Sequence, residues 1–422
     1  MVRHYYFGIL PPAPRREVNM AKIAGIDVHK KLLVVVIADE AAPEQILEQG
    51  KFGSVRSELE RLRQYLSDLG VTTVVMESTA QYWRPVWDEL EGQFSLHLAH
   101  AQSNRAPKGR KSDFRDGRRL IKRFVAHELF LSYVPEPEQR EWRMLTRARL
   151  ALVHDRVHLQ NQVEALLEQA SIKLSSVVSD LFGASGLRIL AALSEGNTDP
   201  DALANLADHR LRASRETLVD ALRGRFTRTH QQLLKQALDR FTQLTKQLGE
   251  LNEAAAQRMQ PHADTVARLI EVPGIGPEAA QELIAELGPH AATFPSSGEL
   301  ASWIGVCPGR NESAGENHSS RSPKGNRYVR RLLAQVAHAA SHTKGSRLQV
   351  IFRKFLARQG VNQAIWTLAH RITVIVWHIL HDGARYIEYG EAVNPKAAKR
   401  AIEHHLKALR RLGYTFPEPI VV

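Results

Sequence analysis

The chain predicts an α/β domain at its N-terminal end and an all-α remainder. Two apolar runs rich in β-branched residues, 23–27 and 32–39, follow each other across a short turn, and a third run, 71–77, ends in an acid. Farther on, leucines recur every seven residues, as long paired helices require. Beyond residue 263, helical segments are joined by short Gly-, Pro- and Ser-rich connections.

Residues 1–20 read as an extension ahead of the first domain. Pro11, Pro12, Pro14, Arg15 and Arg16 interrupt the apolar core that a secretory signal needs, and Met20 is an alternative start. The stretch Ile23-Ala24-Gly25-Ile26-Asp27-Val28 then reads as a strand that carries Asp27 near its end. His29, Lys30 and Lys31 make the turn into the second strand. The run from Val71 to Met76 is a buried strand delivering Glu77, with Ser78 or Thr79 placed to cap the next helix.

The segment 105–123 is strongly basic. It contains Arg105, Lys108, Arg110, Lys111, Arg115, Arg118, Arg119, Lys122 and Arg123, and its only acids are Asp113 and Asp116. Carboxylates at i and i+3 share one helix face. Such a pair in a cationic surround suits a divalent metal held against a phosphate backbone: the metal needs hard oxygen ligands and the polyanion needs neutralising. Taken alone, the segment reads equally as a mixed-charge surface helix. The order Asp27, Glu77, Asp113, Asp116 is what favours a carboxylate site.

The middle of the chain predicts two long helices. Leu145, Leu152, Leu159 and Leu166 form one seam; Leu234, Phe241 and Leu248, joined by Ala237, Leu244 and Leu251, form the other. Heptads at this spacing predict a coiled coil, either as a hairpin within the chain or as a rod that sets dimer geometry. Between them, 175–228 is a small helical insert broken at Gly183, Gly186, Gly196 and Pro200, with Asn197-Thr198-Asp199-Pro200 a turn and helix start.

Pro273-Gly274-Ile275-Gly276-Pro277 resembles a helix-hairpin-helix turn, whose glycines let backbone N–H groups approach a phosphate. A tight helix-helix connector is the favoured reading, since Pro277 removes one of the donors. The polar stretch 308–323 predicts a flexible loop between two helices; it carries Ser313, with Ser319, Ser320 and Ser322 as rivals for any nucleophilic role. After Lys324, Arg327, Arg330 and Arg331 fall on one helix face, where they neutralise a phosphate or form a solvated surface.

Composition narrows the function. With 57 Lys+Arg against 45 Asp+Glu the formal net charge is +12, which favours polyanionic partners. The lone Cys307 excludes an intramolecular disulfide and any zinc site built on a cysteine cluster, and fits a reducing, cytoplasmic setting. The longest apolar runs are too short to span a bilayer, so no membrane partner is expected. The 422 residues suffice for two or three domains.

Two blocks of motifs carry a resemblance. The first is Gly25-Ile26-Asp27-Val28-His29-Lys30, Met76-Glu77-Ser78-Thr79, and Lys111-Ser112-Asp113 with Asp116. The second runs from Val272-Pro273-Gly274-Ile275-Gly276 through Leu300-Ala301-Ser302-Trp303-Ile304-Gly305 and Glu312-Ser313-Ala314-Gly315 to Pro323-Lys324-Gly325-Asn326-Arg327. In this order they resemble the DEDD transposases of the insertion-sequence family numbered one hundred and ten, over nearly the whole chain.

The resemblance implies an RNase H-like (RuvC-like) nuclease domain over 21–130, a coiled coil with helical insert over 136–262, a C-terminal transposase domain over 263–390 and a tail over 391–422. It implies that Asp27, Glu77, Asp113 and Asp116 hold Mg2+, with Mn2+ a substitute, and that Ser313 attacks DNA to form a phosphoserine link. Arg105, Lys108, Arg110, Lys111, Arg115, Arg118, Arg119, Lys324, Arg327, Arg330 and Arg331 would then bind nucleic acid. The implied partners are DNA, a structured non-coding bridge RNA and further copies of the chain, as a dimer or tetramer. Two other readings fit the residues less fully: a metal-dependent junction nuclease that uses water, and a non-catalytic nucleic-acid-binding scaffold. An actin-like sugar kinase would fit Gly25-Ile26-Asp27 but leaves Asp113 and Asp116 unexplained.

Overall fold

Runs of Val and Ile favour extended backbone, and in the computed structural model they form the centre of a sheet. The structure describes residues 21–77, 80–100, 113–209, 211–307, 311–313, 316–319, 322 and 324–388. It divides into two compact units, with the division between Val134 and Pro135.

The first unit is a mixed six-stranded sheet. β1 (Lys22–Val28) and β2 (Leu32–Asp39) pair antiparallel across the predicted turn, which the His29 N–H closes by donating to the Leu32 carbonyl at 2.9 Å. β3 (Ile46–Gly53) adds antiparallel to β2. After α1 (Arg56–Asp68), β4 (Val71–Glu77) returns parallel to β1. After α2 (Trp83–Leu90), β5 (Ser95–Ala99) lies parallel to β4. α3 (Asp113–Val125) precedes β6 (Leu131–Ser132), which closes the far edge antiparallel to β5. The strand order is β3-β2-β1-β4-β5-β6.

Period-two alternation sends successive side chains of β1 and β4 to opposite faces. Ala24, Ile26, Val28, Val74 and Met76 pack with Leu59, Leu62, Leu66, Val86 and Leu90 of α1 and α2. Ile23, Val36 and Val75 pack with Leu120 and Ile121 of α3. The unit is thus three layers, helices on both faces of a mixed sheet, consistent with an RNase H-like domain. One local expectation fails. Position Tyr82, not Ser78 or Thr79, precedes the first residue of α2, and it makes no side-chain cap; Ser78 and Thr79 lie outside the described residues.

The second unit is built on two long helices, α4 (Pro137–Gln169) and, after the insert, α9 (Arg228–Arg258). They pack antiparallel within one chain. Arg258 pairs with Glu141, Arg149 donates to the Asn252 side chain at 3.3 Å, and Val163 and Leu167 share a core with Leu234, Ala237 and Phe241. The heptad leucines take part unequally: Leu159, Leu234 and Leu248 are buried, while Leu145, Leu152 and Leu166 are half-buried. The insert holds α5 (Leu174–Val177), α6 (Ala184–Ser194), α7 (Pro200–Ala204) and α8 (Arg215–Ala221). α7 starts where the sequence places it, with the Asp199 side chain accepting from the Asp201 N–H at 3.2 Å.

α10 (Ala263–Ile270), α11 (Pro277–Leu287), α12 (Ser297–Ile304), α13 (Arg327–His342) and α14 (Arg347–His381) complete this unit. Their core includes Leu283, Leu300, Leu333, Leu368 and Ile372, and it takes in Trp142 of α4. At the α10–α11 turn, a Cβ on Gly274 would lie 2.5 Å from the Val336 carbonyl and 2.9 Å from the Ala340 nitrogen. This glycine lets the turn seat against the α13 backbone, which is the connector role.

The flexible loop expected over 308–323 contains regular structure. β7 (Asn311–Ser313) and β8 (Glu316–Ser319) form an antiparallel ladder, with Ser313 opposite Glu316 at its end. Polar strands this short carry no periodic apolar signal, so the sequence reads as loop.

Candidate active site

The sequence points to four acids, and the sheet brings two of them to one level. In the parallel β1–β4 ladder Gly25 lies beside Val75 and Ile26 beside Met76, so Asp27 and Glu77 occupy the next rung, at the ends of both strands. Alternation turns positions 23, 25 and 27 of β1, and 75 and 77 of β4, to the α3 face. Asp27 is only 8% exposed, and Glu77 is half-buried. Both make polar contacts, one of them the 3.2 Å approach of His29 Nε2 to Asp27 Oδ2. In the sequence, His29 is marked only as part of the turn.

α3 supplies the other two. Its apolar face, Gly117, Leu120, Ile121 and Phe124, recurs at helical spacing and lies on the sheet. The approach is closest at two glycines. A Cβ on Gly25 would sit 2.5 Å from the Gly117 carbonyl, and a Cβ on Gly117 would sit 2.9 Å from Val36 Cγ2 and 3.3 Å from the Gly25 carbonyl. Only paired glycines let the helix come this near. The contact fixes Asp116, one residue before Gly117, beside a strand whose Asp27 is two residues beyond Gly25. Arg119 holds the Asp116 carboxylate through Oδ1 at 2.6 Å, with both side chains about three-quarters buried.

Asp113 is the first residue of α3, one helical turn before Asp116; its side chain lies outside the described residues. Among the described residues, no three His, Cys, Asp or Glu side chains stand at metal-binding spacing. The donor set nonetheless suits a hard divalent cation. All four donors are carboxylates, the hard oxygen ligands that such a cation takes.

Of the basic residues on this segment, Arg115 and Arg118 are exposed on the outer face of α3, whereas Arg119 is turned to Asp116. Arg105, Lys108, Arg110 and Lys111 lie outside the described residues.

In the second unit the hairpin that ends at Ser313 springs from a pinned neck. On one side, Ile304 and Gly305 end α12; on the other, Gly325 and Asn326 begin α13. A Cβ on Gly325 would lie 2.1 Å from the Ile304 carbonyl group, so the two sides cross in backbone contact. The Asn326 N–H donates to the Trp303 carbonyl at 3.1 Å, and its side-chain oxygen caps α13 by accepting from the Tyr328 and Val329 N–H groups at 2.9 and 3.1 Å. Arg330 donates to the Gly305 carbonyl, and to Ser322 Oγ at 2.9 Å.

A buried acid holds the neck from below. The Glu286 carboxylate, fully buried, accepts from Arg147 at 2.7 and 2.9 Å and from the Asn326 amide at 3.2 Å, with Arg143 3.7 Å away. Burial alone would lower the Arg147 guanidinium, but its hydrogen bond and charge interaction with Glu286 outweigh that and raise it. Arg331 reaches Glu282 at 2.5 Å and Gln335 at 2.6 Å. Of the predicted stripe, Arg330 and Arg331 therefore have partners inside the unit, while Arg327 is exposed, as is Lys324, which precedes the helix. No local sequence pattern marks the Glu286 network, because Arg147 lies 139 residues before Glu286 and Asn326 lies 40 after it.

Comparison with known proteins matches the two segments that hold these residues. Residues 24–172, which hold all four acids, match the DEDD transposase family model of IS110 elements, described as "Transposase". Residues 266–351, which hold the neck and its hairpin, match the model described as "Transposase IS116/IS110/IS902 family". The chain belongs to this transposase family. The transposase is 25% identical over 370 residues to a probable family 20 transposase of Pseudomonas aeruginosa, an alignment covering 86% of this chain and 97% of the relative. It is 24% identical over 376 residues to the transposase for insertion sequence element IS1111A of Coxiella burnetii, covering 87% and 91%. It is also 24% identical over 280 residues to the transposase for IS1328 of Yersinia enterocolitica, covering 65% and 73%. At the level of class, then, the protein is an insertion-sequence transposase, a DNA-cleaving and DNA-joining enzyme whose DEDD domain points to divalent-metal use. Among its described residues no helix is long and apolar enough to cross a membrane.

Proposed function

We propose that the transposase cuts and rejoins DNA with two sets of groups: the carboxylates Asp27, Glu77, Asp113 and Asp116, and the Ser313 hydroxyl. The observation that carries the reading is the convergence in the first unit. Asp27 and Glu77 lie at or next to the ends of adjacent parallel strands on the α3 face, and the Gly25–Gly117 contact packs the helix that carries Asp116 onto that face. These acids would hold Mg2+ or Mn2+, which supplies Lewis-acid polarisation of a phosphoryl oxygen and charge stabilisation for the leaving oxygen.

The chain's own groups do the rest. Arg119 orients Asp116. The exposed Arg115 and Arg118 contact phosphates flanking the acids, with Arg105, Lys108, Arg110 and Lys111 of the same segment. In the second unit the pinned neck presents the hairpin, and Lys324 and Arg327, with the anchored Arg330 and Arg331, make its surroundings cationic. Ser313 Oγ forms a bond to phosphorus as a strand P–O bond breaks. The Ser313 proton is lost and the departing sugar oxygen is protonated; attack by a second strand's hydroxyl then releases the serine and joins the strands. Two or four copies of the chain assemble so that the carboxylates of one protomer work with the serine of another, and a structured RNA selects the DNA.

The test combines adduct trapping with metal withdrawal. Wild-type protein with its element DNA and Mg2+ should give a covalent protein–DNA adduct that survives denaturation. Ser313→Ala should give none, and Asp113→Asn or EDTA should abolish cleavage while DNA binding persists. An adduct persisting in Ser313→Ala moves the nucleophile to Ser319, Ser320 or Ser322. Cleavage without any adduct in the wild type replaces the reading with a water-using nuclease.

A further inference from the structure

A cavity of about 550 Å3 opens at the foot of the serine hairpin. Val306 and Cys307 line it from just before the hairpin and Ser322 from just after it. The opposite wall is α14, which departs from helical geometry at Gly360 (φ 76°, ψ 171°) and carries Gln359, Gln363, Trp366, Thr367 and His370 into the lining. The volume falls among those of small-ligand sites, roughly 300–1,000 Å3.

The lining has a definite chemistry. Trp366 offers an indole, and the Arg330 guanidinium, anchored in the neck, sits 4.4 Å from its ring centroid. Gln359 and Gln363 bring two carboxamides, each with donors and an acceptor. Thr367 Oγ1 donates to the Gln363 carbonyl at 2.9 Å and lies 3.3 Å from the Gln359 side-chain oxygen, its alternative acceptor. Burial, with the neighbouring Arg371, holds His370 below its ordinary value, so near neutral pH its imidazole is uncharged and offers one donor and one acceptor. Burial raises the Cys307 thiol, which therefore stays protonated. No Asp or Glu is among the described residues that line the cavity.

A flat aromatic wall, uncharged paired donors and acceptors, and no carboxylate suit a flat, uncharged molecule with a polar edge that hangs from a polyanion. We propose that this cavity receives one unstacked base of the DNA strand on which the hairpin acts, stacked on Trp366 and hydrogen-bonded along its edge by Gln359, Gln363 and His370. The inference rests on the reading of the hairpin as the DNA-joining element. It gives that element a local register: the strand is held by a nucleotide a short distance from Ser313.

The experiment needs binding only. Fluorescence anisotropy compares the full-length protein on a labelled twelve-nucleotide dT strand and on a strand of equal length and charge made of abasic sites. The wild type should prefer the base-bearing strand by roughly tenfold, the scale of one stacked base. Trp366→Ala should erase most of that preference with abasic affinity unchanged, and Trp366→Phe should restore it. Should Trp366→Ala fold poorly, the Gln359→Ala and Gln363→Ala double variant, at exposed positions, should still cut the preference about threefold. Equal binding of both strands by the wild type overturns the proposal, as does an equal loss on both strands in the variants. A Trp366-dependent preference for an rU strand over dT overturns it in favour of an RNA occupant. Ser313→Ala should bind as the wild type does. A Trp366-dependent preference in wild-type protein that forms no adduct with its element DNA would sink the serine chemistry and leave the cavity's role standing.

Discussion

Arg118 and Arg119 are neighbours in a basic segment, yet the helix assigns them different work. Arg118 is exposed, while Arg119 closes on Asp116 at 2.6 Å. Arg118→Ala should weaken binding to all DNA sequences alike and reduce the salt dependence by about one counterion. Arg119→Ala should lower the cleavage rate more than the affinity, because it releases a carboxylate. Salt-titrated binding beside single-turnover cleavage separates the two, and parallel losses for both variants would refute the distinction. The sequence showed the charges and their order but not this division, since both arginines belong to the same basic run and only the docked face of α3 tells them apart. Asp27 and Glu77 were legible because each ends an apolar run. His29 was not, because its approach to Asp27 depends on a turn geometry that many residues could fill.

At the scale of elements, the position of α3 depends on one glycine pair. Gly117→Ala places a methyl group 2.9 Å from Val36 Cγ2, on a buried, β-branched side chain with little freedom to move. Overpacking of this kind costs about 1–3 kcal/mol. The helix should shift and carry Asp116 with it, so cleavage should fall by more than the stability loss alone explains. Thermal unfolding and cleavage measured on one sample decide this; full activity in a destabilised variant would show that the acids tolerate displacement. The neck allows a parallel experiment. Glu286→Gln keeps the shape but leaves Arg143 and Arg147 without their buried counter-charge, a change on the order of 3 kcal/mol. Adduct formation and strand joining should both drop while DNA binding persists, as read by adduct trapping beside binding anisotropy; a full adduct yield would show that the neck does not position the serine. The central strands and the long helices were legible because their apolar residues repeat at the period of the element. The edge strand β3, the two-residue β6 and the β7–β8 hairpin were not; edge and surface strands bury little, and polar residues carry no such period.

Over the whole molecule, charge and architecture together bear on how target DNA is chosen. The net charge of +12 favours broad contact with a polyanion. The α10–α11 turn, whose sequence resembles a helix-hairpin-helix turn, seats its Gly274 against α13 rather than presenting it outward. The long helices α4 and α9 pair with each other within the chain and share buried contacts, unlike a basic region that forks into a groove. The described residues contain no zinc-finger cysteines, since Cys307 is the only cysteine. Among the described residues no helix or zinc module of the groove-reading kinds is recognisable, and the proposed reading assigns the choice of sequence to base pairing with a structured RNA. Recombination reconstituted from purified protein, donor DNA and target DNA should therefore require the transcript of the non-coding segment that flanks the gene. Omitting that RNA should leave nonspecific, salt-sensitive DNA binding but no site-specific joining. Changing only its pairing loops should redirect the product to a matching new target. Efficient joining at a defined site by RNA-free protein would place the reading of sequence back in the polypeptide, and the cavity beneath the serine hairpin would then be the first place to look for it.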